Sequence, residues 1–203
     1  VPVDPQLFTP KPQNLKEFPP VRKNMRRSRG AIDSHFPDYK IIPGPERKPR
    51  RLEKRDRSLA EQIVEESMLI ANETVACYLR DSENPSVYRI HEVPDPERLE
   101  MMRTVLSSFN LPVPKDDEVK PADFQRLIEK SKGTEAELIV QTIALRSMQQ
   151  AKYSTVNAGH FGLASECYTH FTSPIRRYPD LMVHRLIRQT KRRGKLKEQE
   201  AEQ

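Results

Sequence analysis

Helix-start signals recur through the last two-thirds of this chain, and they require a largely helical body. Ser58 and Glu61 form a capping box ahead of an apolar run. Asp95-Pro96 and Ser173-Pro174 each place a capping side chain before a proline, whose missing N–H costs nothing in a first helical turn. We therefore expect helices to begin at these three points.

The spacing of apolar residues predicts the buried face of each helix. On the helix that starts at Ser58 and runs to about Leu79, that face consists of Val64, Met68, Ala71, Val75 and Leu79. On the helix that starts at Asp95, it consists of Leu99, Met102, Leu106 and Phe109. Residues 121–132 form a short helix that ends at Gly133, and a capping box of Thr134 and Glu137 opens another helix to about Lys152.

The first part of the chain has a different character. Residues 1–28 are rich in proline and basic residues, so we expect an extended segment. Its RKNMRR run either binds phosphates or, as such runs more often do, is solvated. A strand or hairpin is expected near 31–32 and 40–42, followed by a break at PGPERKPRR, and residues 85–93 alternate like another strand. The fold class is therefore mixed α+β and predominantly helical.

Composition narrows the possible partners. The 203 residues suffice for one domain or two small ones, and the net charge of +6 favours a polyanion such as nucleic acid, although a merely solvated basic surface explains it equally well. Neither a membrane span nor a signal peptide is present in the sequence, so we expect no membrane partner. Cys77 and Cys167 fit no zinc or disulfide pattern, which predicts two small core residues in a reducing compartment.

Residues 160–188, HFGLASECYTHFTSPIRRYPDLMVHRLIR, are the densest in reactive side chains. Arg176 and Arg177 would lie in the first turn of a helix started by Ser173-Pro174, where free N–H groups and the helix dipole attract phosphate. Aromatic rings just upstream could stack on a base or ribose. The alternative is structural: Asp180 could pair with an arginine, and His184 could be an ordinary packing residue.

No catalytic signature accompanies this stretch. The sequence has no HExxH, Walker loop or GxSxG motif. Asp116-Asp117, the adjacent aspartate pair, lies beside lysines without apolar support and is expected to be solvated. A two-metal phosphodiesterase needs a carboxylate cluster, so the sequence predicts no metal site.

The 160–188 stretch closely resembles the C-terminal hallmark of the RNB catalytic domain of ribonuclease II- and ribonuclease R-type enzymes. RGAID (29–33), VEESMLIANETVA (64–76), YRIHE (88–92) and the helix near 134–152 agree in order. The resemblance covers roughly residues 29–193, whereas residues 1–28 match poorly. It implies a cytoplasmic, processive 3′→5′ exoribonuclease that hydrolyses single-stranded RNA to nucleoside 5′-monophosphates with Mg²⁺.

The resemblance also implies roles for individual residues. Arg176 would contact the phosphate at the scissile end, and Glu65, or as second choice Glu66, would recognise the ribose with support from Asn72. A carboxylate that accepts from a 2′-OH distinguishes RNA from DNA. The remaining RNA-binding candidates are Tyr88, His160, Tyr168, His170, Thr172, Ser173 and Arg177.

One departure from the family limits the expected activity. The metal-binding aspartate motif, which in the family lies upstream of RGAI, and the flanking cold-shock and S1 domains are absent from this sequence. We expect a fragment, residues 29–203 being a partial catalytic domain, that is inactive alone and associates with the missing half or with itself. The alternatives are a non-catalytic RNA-binding homologue and a helical adaptor with a basic face.

Overall fold

The computed structural model describes residues 15–33, 38–45, 48–109 and 119–193, and it confirms a mixed, mainly helical fold. Within these ranges the helices are α1 (Phe18–Ser28), α2 (Leu59–Asp81), α3 (Pro96–Ser107), α4 (Pro121–Ser131), α5 (Glu137–Ser147) and α6 (Tyr178–Arg193). Two antiparallel pairs are formed by β1 (Asp38–Pro43) with β2 (Pro49–Arg55), and by β3 (Tyr88–Ile90) with β4 (Lys152–Ser154). No helix of the described ranges has the length and apolar character to cross a bilayer.

Helix α1 corrects the prediction of an extended segment over residues 1–28. That prediction is wrong for Phe18–Ser28, while residues 1–14 lie outside the described ranges. Pro19 and Pro20 were interpreted as linker residues, but a proline in the first helical turn removes no intrahelical hydrogen bond. The proline pair therefore begins this helix.

Two arginines of the basic run on α1 are buried inside the protein and do not face water. Arg22 and Arg26 are 3% and 7% exposed. Arg26 lies 2.6 Å from Glu66, Arg22 lies 3.4 Å from Glu73, and Arg29, just after the helix, lies 2.8 Å from the same Glu73. These arginines attach α1 to α2 through buried ion pairs.

This attachment explains why the buried face of α2 differs from the predicted one. The capping box at Ser58 is confirmed, and the helix ends at Asp81. Of the predicted apolar face, Leu79 is fully buried, but Val64 is 57% exposed and Met68 is 37% exposed. The buried positions of α2 are Glu66, Asn72, Glu73, Ala76 and Leu79. Carboxylates can be buried here because arginines from α1 neutralise them.

The strand expected near 40–42 is confirmed as β1, which ends at Pro43, the first residue of PGPERKPRR; the last three residues of that stretch, from Pro49, begin β2, which pairs with β1. Ala31 and Ile32 form no strand; the Ile32 N–H donates to the Gly162 carbonyl at 2.9 Å. Gly30 has a φ of +89°, and a Cβ there would lie 2.8 Å from that of Ala122. Only glycine therefore allows this segment to pack against α4.

The larger hydrophobic core lies between α3, α4 and α5. Its buried members are Leu99, Met102, Leu106, Val119, Phe124, Leu127, Val140, Ala144, Met148 and Phe161. Phe109, predicted on this face, follows the helix and is 38% exposed. Large apolar side chains also remain exposed on the outer sides of α3 and α5, among them Met101, Val105, Leu138 and Leu145.

Helix α5 is shorter than predicted at both ends. The Thr134 hydroxyl donates to the Ser131 carbonyl instead of capping the helix, which begins at Glu137. The helix ends at Ser147, and Lys152, its predicted last residue, begins β4. Residues 152–154 instead pair with β3, the strand expected within 85–93, so tertiary pairing overrides the helix predicted up to Lys152.

A second, smaller core joins α2 to the β3–β4 pair. It contains Ala76, Tyr88, Ile90 and Cys167, with Cys77 packed against it. The predicted core position is thereby confirmed for Cys167, whereas Cys77 is half-buried at the edge of this core. The Arg89 N–H donates to the Tyr168 carbonyl at 2.8 Å, so the sheet also holds the segment that leads into α6.

Candidate nucleic-acid interface

Arg176 lies in a turn that precedes α6. The Ser173 carbonyl accepts from the backbone N–H groups of Arg176 and Arg177 at 3.2 and 3.1 Å, and α6 begins only at Tyr178. The prediction that Ser173-Pro174 starts the helix is therefore wrong. The two residues start a turn, and Arg176 does not lie in a first helical turn.

A buried carboxylate organises this turn. Asp180, in the first turn of α6, is 0% exposed; it accepts from the Ser173 N–H at 2.7 Å and from two Arg177 nitrogens at 2.9 and 2.8 Å. Burial alone would raise the pKa of Asp180, but the hydrogen bonds from Arg177 and Ser173 lower it below its ordinary value. Asp180 thus pairs with Arg177, as the structural alternative for this stretch held.

Arg176 is the accessible cation of the turn. Its side chain is exposed, and no carboxylate in the described part of the chain lies within ion-pair distance of it. Its positive charge adds to burial and to the charge of Arg177 in lowering the pKa of His170. A fixed turn therefore presents one unpaired guanidinium to solvent.

Five aromatic or imidazole rings form a continuous row next to this turn. In order, the ring row consists of Tyr153, His170, Tyr168, His160 and His91. Successive ring centroids lie 5.6, 5.9, 5.3 and 5.0 Å apart in edge-to-face contacts. A cavity of about 680 Å³ opens at its far end, lined by His91, His160 and Glu166 among others.

The histidines of the ring row are neutral at neutral pH. Burial lowers the pKa of His160 to about 3, with a further contribution from His91, and burial followed by the charge of Arg177 lowers the pKa of His170 to about 4. The pKa of His91 is also lowered by burial. These rings can therefore stack or exchange hydrogen bonds, while Arg176 provides the charge.

Asn72 attaches the ring row to α2. Its amide nitrogen donates to the Tyr168 hydroxyl at 2.9 Å, and its amide oxygen accepts from the Phe171 N–H at 3.0 Å. Asn72 is 3% exposed and uses both amide groups inside the protein. Asn72 therefore supports the ring row from inside the protein and offers no group to a ligand at the surface.

The two candidate glutamates have opposite environments. Glu66 is 0% exposed, and its carboxylate pairs with Arg26 inside the protein. The Glu65 side chain is 37% exposed and lies 2.9 Å from the partly exposed Arg57. Of the two carboxylates, Glu65 is therefore the one that a ligand can reach.

Other predicted site residues are less accessible. Tyr88 is 5% exposed in the smaller core, where burial raises its pKa. The Thr172 hydroxyl is buried without a hydrogen-bond partner among the described residues. Ser173 contributes its backbone to the turn. His184 stacks on Phe171 with centroids 4.1 Å apart, consistent with the packing role that the sequence allowed.

Sequence reasoning missed three side chains that complete the surface. Tyr153 hydrogen-bonds to His170 at 2.7 Å, and Arg89 lies over the Tyr153 ring at 4.7 Å. Tyr153 was not predicted as a site residue because its segment was expected to follow a helix and not to form a strand. His91 carried a signal, since it belongs to the YRIHE stretch.

The donor set does not fit the Mg²⁺ that the resemblance implies. Across the described ranges, no three or more His, Cys, Asp or Glu side chains are grouped so that they could hold a metal ion. Asp116-Asp117 lies outside those ranges. We therefore derive no reaction step through a metal from these residues.

Comparison with known proteins identifies the class. The RNB domain model matches residues 8–193, so the chain belongs to the RNB family. The match begins at residue 8, well before the start near residue 29 that the motifs indicated.

Within the family, the chain is similar to ribonucleases R. It is 45% identical to ribonuclease R 1 of Lactococcus lactis over 86% of the chain and 22% of that protein. It is 38% identical to ribonuclease R of Escherichia coli over 90% of the chain and 23% of that protein. The chain thus spans less than a quarter of the length of these curated relatives.

Solved structures agree with this placement. RNase R of Mycoplasma genitalium in complex with ribose methylated single-stranded RNA has a TM-score of 0.81 at 28% identity, over 93% of this chain and 30% of that one. Yeast Ssd1, described as a pseudonuclease, has a TM-score of 0.66 at 19% identity over 98% of this chain and 26% of that one, which shows a shared fold alone.

Proposed function

We propose that this chain is the RNA-binding part of a 3′→5′ exoribonuclease that hydrolyses single-stranded RNA processively to nucleoside 5′-monophosphates. The observation that carries the proposal is the exposed Arg176 in a turn fixed by the buried Asp180. Family membership and the RNase R complexes with single-stranded and double-stranded RNA support the same function. A cytoplasmic location is part of the proposal.

Arg176 binds the phosphate at the scissile end in this account. A guanidinium is always charged, and its planar fork matches phosphate oxygens. A fixed cation at the reacting phosphate stabilises the charge that develops there without reorganisation. The ring row adds neutral surfaces on which bases or riboses stack. The adjacent cavity of about 680 Å³ has the size of a site for a small ligand.

Glu65 is the proposed ribose contact because its carboxylate is accessible whereas that of Glu66 is buried. We expect Glu65→Gln to reduce the preference for RNA over DNA of the same sequence by roughly tenfold, since a charged hydrogen bond to the 2′-OH becomes a neutral one. Paired binding titrations measure this ratio. Glu100→Gln, an exposed change on α3, is the control, and an unchanged RNA/DNA ratio for Glu65→Gln contradicts the assignment.

Mg²⁺ would supply the activated water in the complete enzyme, with ligands from a part of the domain that this sequence does not contain. The exposed apolar side chains of α3 and α5 are consistent with contact to that part or to a second copy. We therefore expect the 203-residue chain to bind single-stranded RNA without cleaving it.

A nuclease assay tests this expectation. The chain is incubated with 3′-labelled single-stranded RNA and Mg²⁺, and the products are separated by size. Bound, intact RNA is the expected result, and release of labelled mononucleotide by the chain alone contradicts it. A non-catalytic RNA-binding homologue would behave in the same way as this fragment, so only the upstream sequence, with or without the family's aspartates, separates the two. A helical adaptor would show no salt-dependent RNA binding.

A further inference from the structure

The two cysteines of the chain are in direct contact. Cys77 on α2 and Cys167, the residue before Tyr168, are 90 positions apart in sequence, but their sulfur atoms lie 3.6 Å apart. Both are free thiols, and the chain has no other cysteine. Cys167 is 1% exposed, whereas Cys77 is half-buried and can be reached by a small molecule.

The contact makes the two thiols chemically unequal. The Cys167 thiol donates to the Cys77 sulfur, and this hydrogen bond, assisted by the charge of Arg80, lowers the pKa of Cys77 despite its partial burial. The same hydrogen bond and burial raise the pKa of Cys167. Because the thiolate is the reactive form, Cys77 is the sulfur that an oxidant attacks first.

We propose that Cys77 and Cys167 form a peroxide-sensitive modification site that closes into an intramolecular disulfide. Cys77 attacks hydrogen peroxide and becomes a sulfenic acid, and the second peroxide oxygen leaves as water. The Cys167 sulfur then attacks the Cys77 sulfur, the S–O bond breaks, and the hydroxyl departs with the Cys167 thiol proton as a second water. Each peroxide thus accepts two electrons from the thiol pair, and a dithiol reverses the change by thiol–disulfide exchange.

The position of the pair determines what the disulfide would do. Cys77 lies five residues beyond Asn72 on α2, and Cys167 directly precedes Tyr168, so the disulfide would join the same two segments that the Asn72–Tyr168 hydrogen bond joins. It would fix the ring row to α2 covalently. It would also close a long loop, which restricts the unfolded chain and stabilises the folded one.

Peroxide treatment of the purified chain tests the proposal. We expect the intact mass to fall by two hydrogen atoms, a Cys77–Cys167 peptide to appear in a non-reducing digest, and Tm to rise by roughly 5 °C or more, all reversed by dithiothreitol. Addition of oxygen atoms at Cys77 without a cross-link, disulfide-linked dimers, or no reaction at all would overturn it.

Single substitutions test the assigned order of attack. In Cys167→Ser, the sulfenic acid on Cys77 has no second thiol, so a dimedone adduct should accumulate there after peroxide treatment. In Cys77→Ser, the buried Cys167 should remain unlabelled. Equal labelling of the two variants, or labelling of Cys167 alone, contradicts the order. Neither readout depends on RNA binding or on nuclease activity.

Discussion

At the scale of single residues, Arg176 carries the accessible positive charge of the turn that precedes α6. Arg177 is paired with Asp180, while burial keeps His160 and His170 neutral, so Arg176 is the cation that the turn offers to a ligand. Neutral rings beside a fixed cation suit a nucleotide, which has a flat base and a charged phosphate. The rings stay uncharged because the histidines are buried, so this arrangement depends on their burial.

That burial predicts a pH dependence of stability. The folded-state pKa values of about 3 for His160 and about 4 for His170 lie below the ordinary value of about 6.5, so the unfolded chain binds protons first on acidification. The free energy of unfolding should therefore fall as the pH decreases from about 6.5 to about 4. Asp180, whose pKa is lowered from 3.8, contributes only below this window.

Urea titrations across this pH range measure the effect. His160→Gln removes one of the shifted groups, so its free energy of unfolding should depend less steeply on pH than that of the unmodified chain. Equal stability of the unmodified chain at about pH 6.5 and about pH 4.5 would contradict the burial of these rings.

Residue types in sequence placed both Arg176 and Arg177 in a first helical turn, and only the family resemblance singled out Arg176; in the structure both precede α6, and Arg176 is the exposed one. A Ser-Pro pair predicts both a helix start and a turn, and the choice depends on Asp180, whose burial is a tertiary fact. The same limit applies to Glu66, which local sequence presents as a free charge, because its partner Arg26 lies forty positions away. The pairing of Arg177 with Asp180, three positions on, was an alternative that the sequence already offered.

At the scale of elements, the least expected feature is the ion-paired contact between α1 and α2. Apolar periodicity placed Val64 and Met68 in the core, whereas the contact in fact buries Glu66 and Glu73 against arginines. Pattern analysis treats charged residues as solvent-facing, so it assigns the helix face correctly only where no complementary charges pack against it. The helices α3 and α4, whose contacts are apolar, were predicted well.

The contact predicts a large cost for removing one partner. Arg26→Ala leaves the buried Glu66 without its arginine and should lower the free energy of unfolding by about 3–5 kcal/mol. Arg27→Ala, the neighbouring change at a half-exposed pair with Glu129, should cost less than about 1 kcal/mol. Urea unfolding compares the two variants.

A compensating double variant shows whether stability is lost because a buried charge has no partner or because α1 itself is weakened. Combining Arg26→Met with Glu66→Met removes both charges, so most of the stability should return. If Arg26→Ala costs no more than Arg27→Ala, α1 is not attached to α2 by this buried pair.

At the scale of the whole molecule, two hydrophobic cores support the segments that carry the ring row. The larger core supports Phe161 from α3, α4 and α5, and the smaller core supports Tyr168 through α2 and the β3–β4 pair. The ring row runs from Tyr153 to His91 across the segments that these cores hold. Of the sequence motifs, the 160–188 stretch and YRIHE contribute rings to this row, whereas Tyr153 joins it through the pairing of β3 with β4, which had little local signal.

The central claim is that Arg176 contacts an RNA phosphate, and the salt dependence of binding tests it most directly. Binding of single-stranded RNA should weaken with salt, and Arg176→Ala should make the slope of log K against log salt shallower by about 0.7, the value for one lost phosphate contact. Arg146→Ala removes an equal charge from an exposed site on α5 and should leave the slope unchanged. Identical slopes for Arg176→Ala and the unmodified chain would contradict the account.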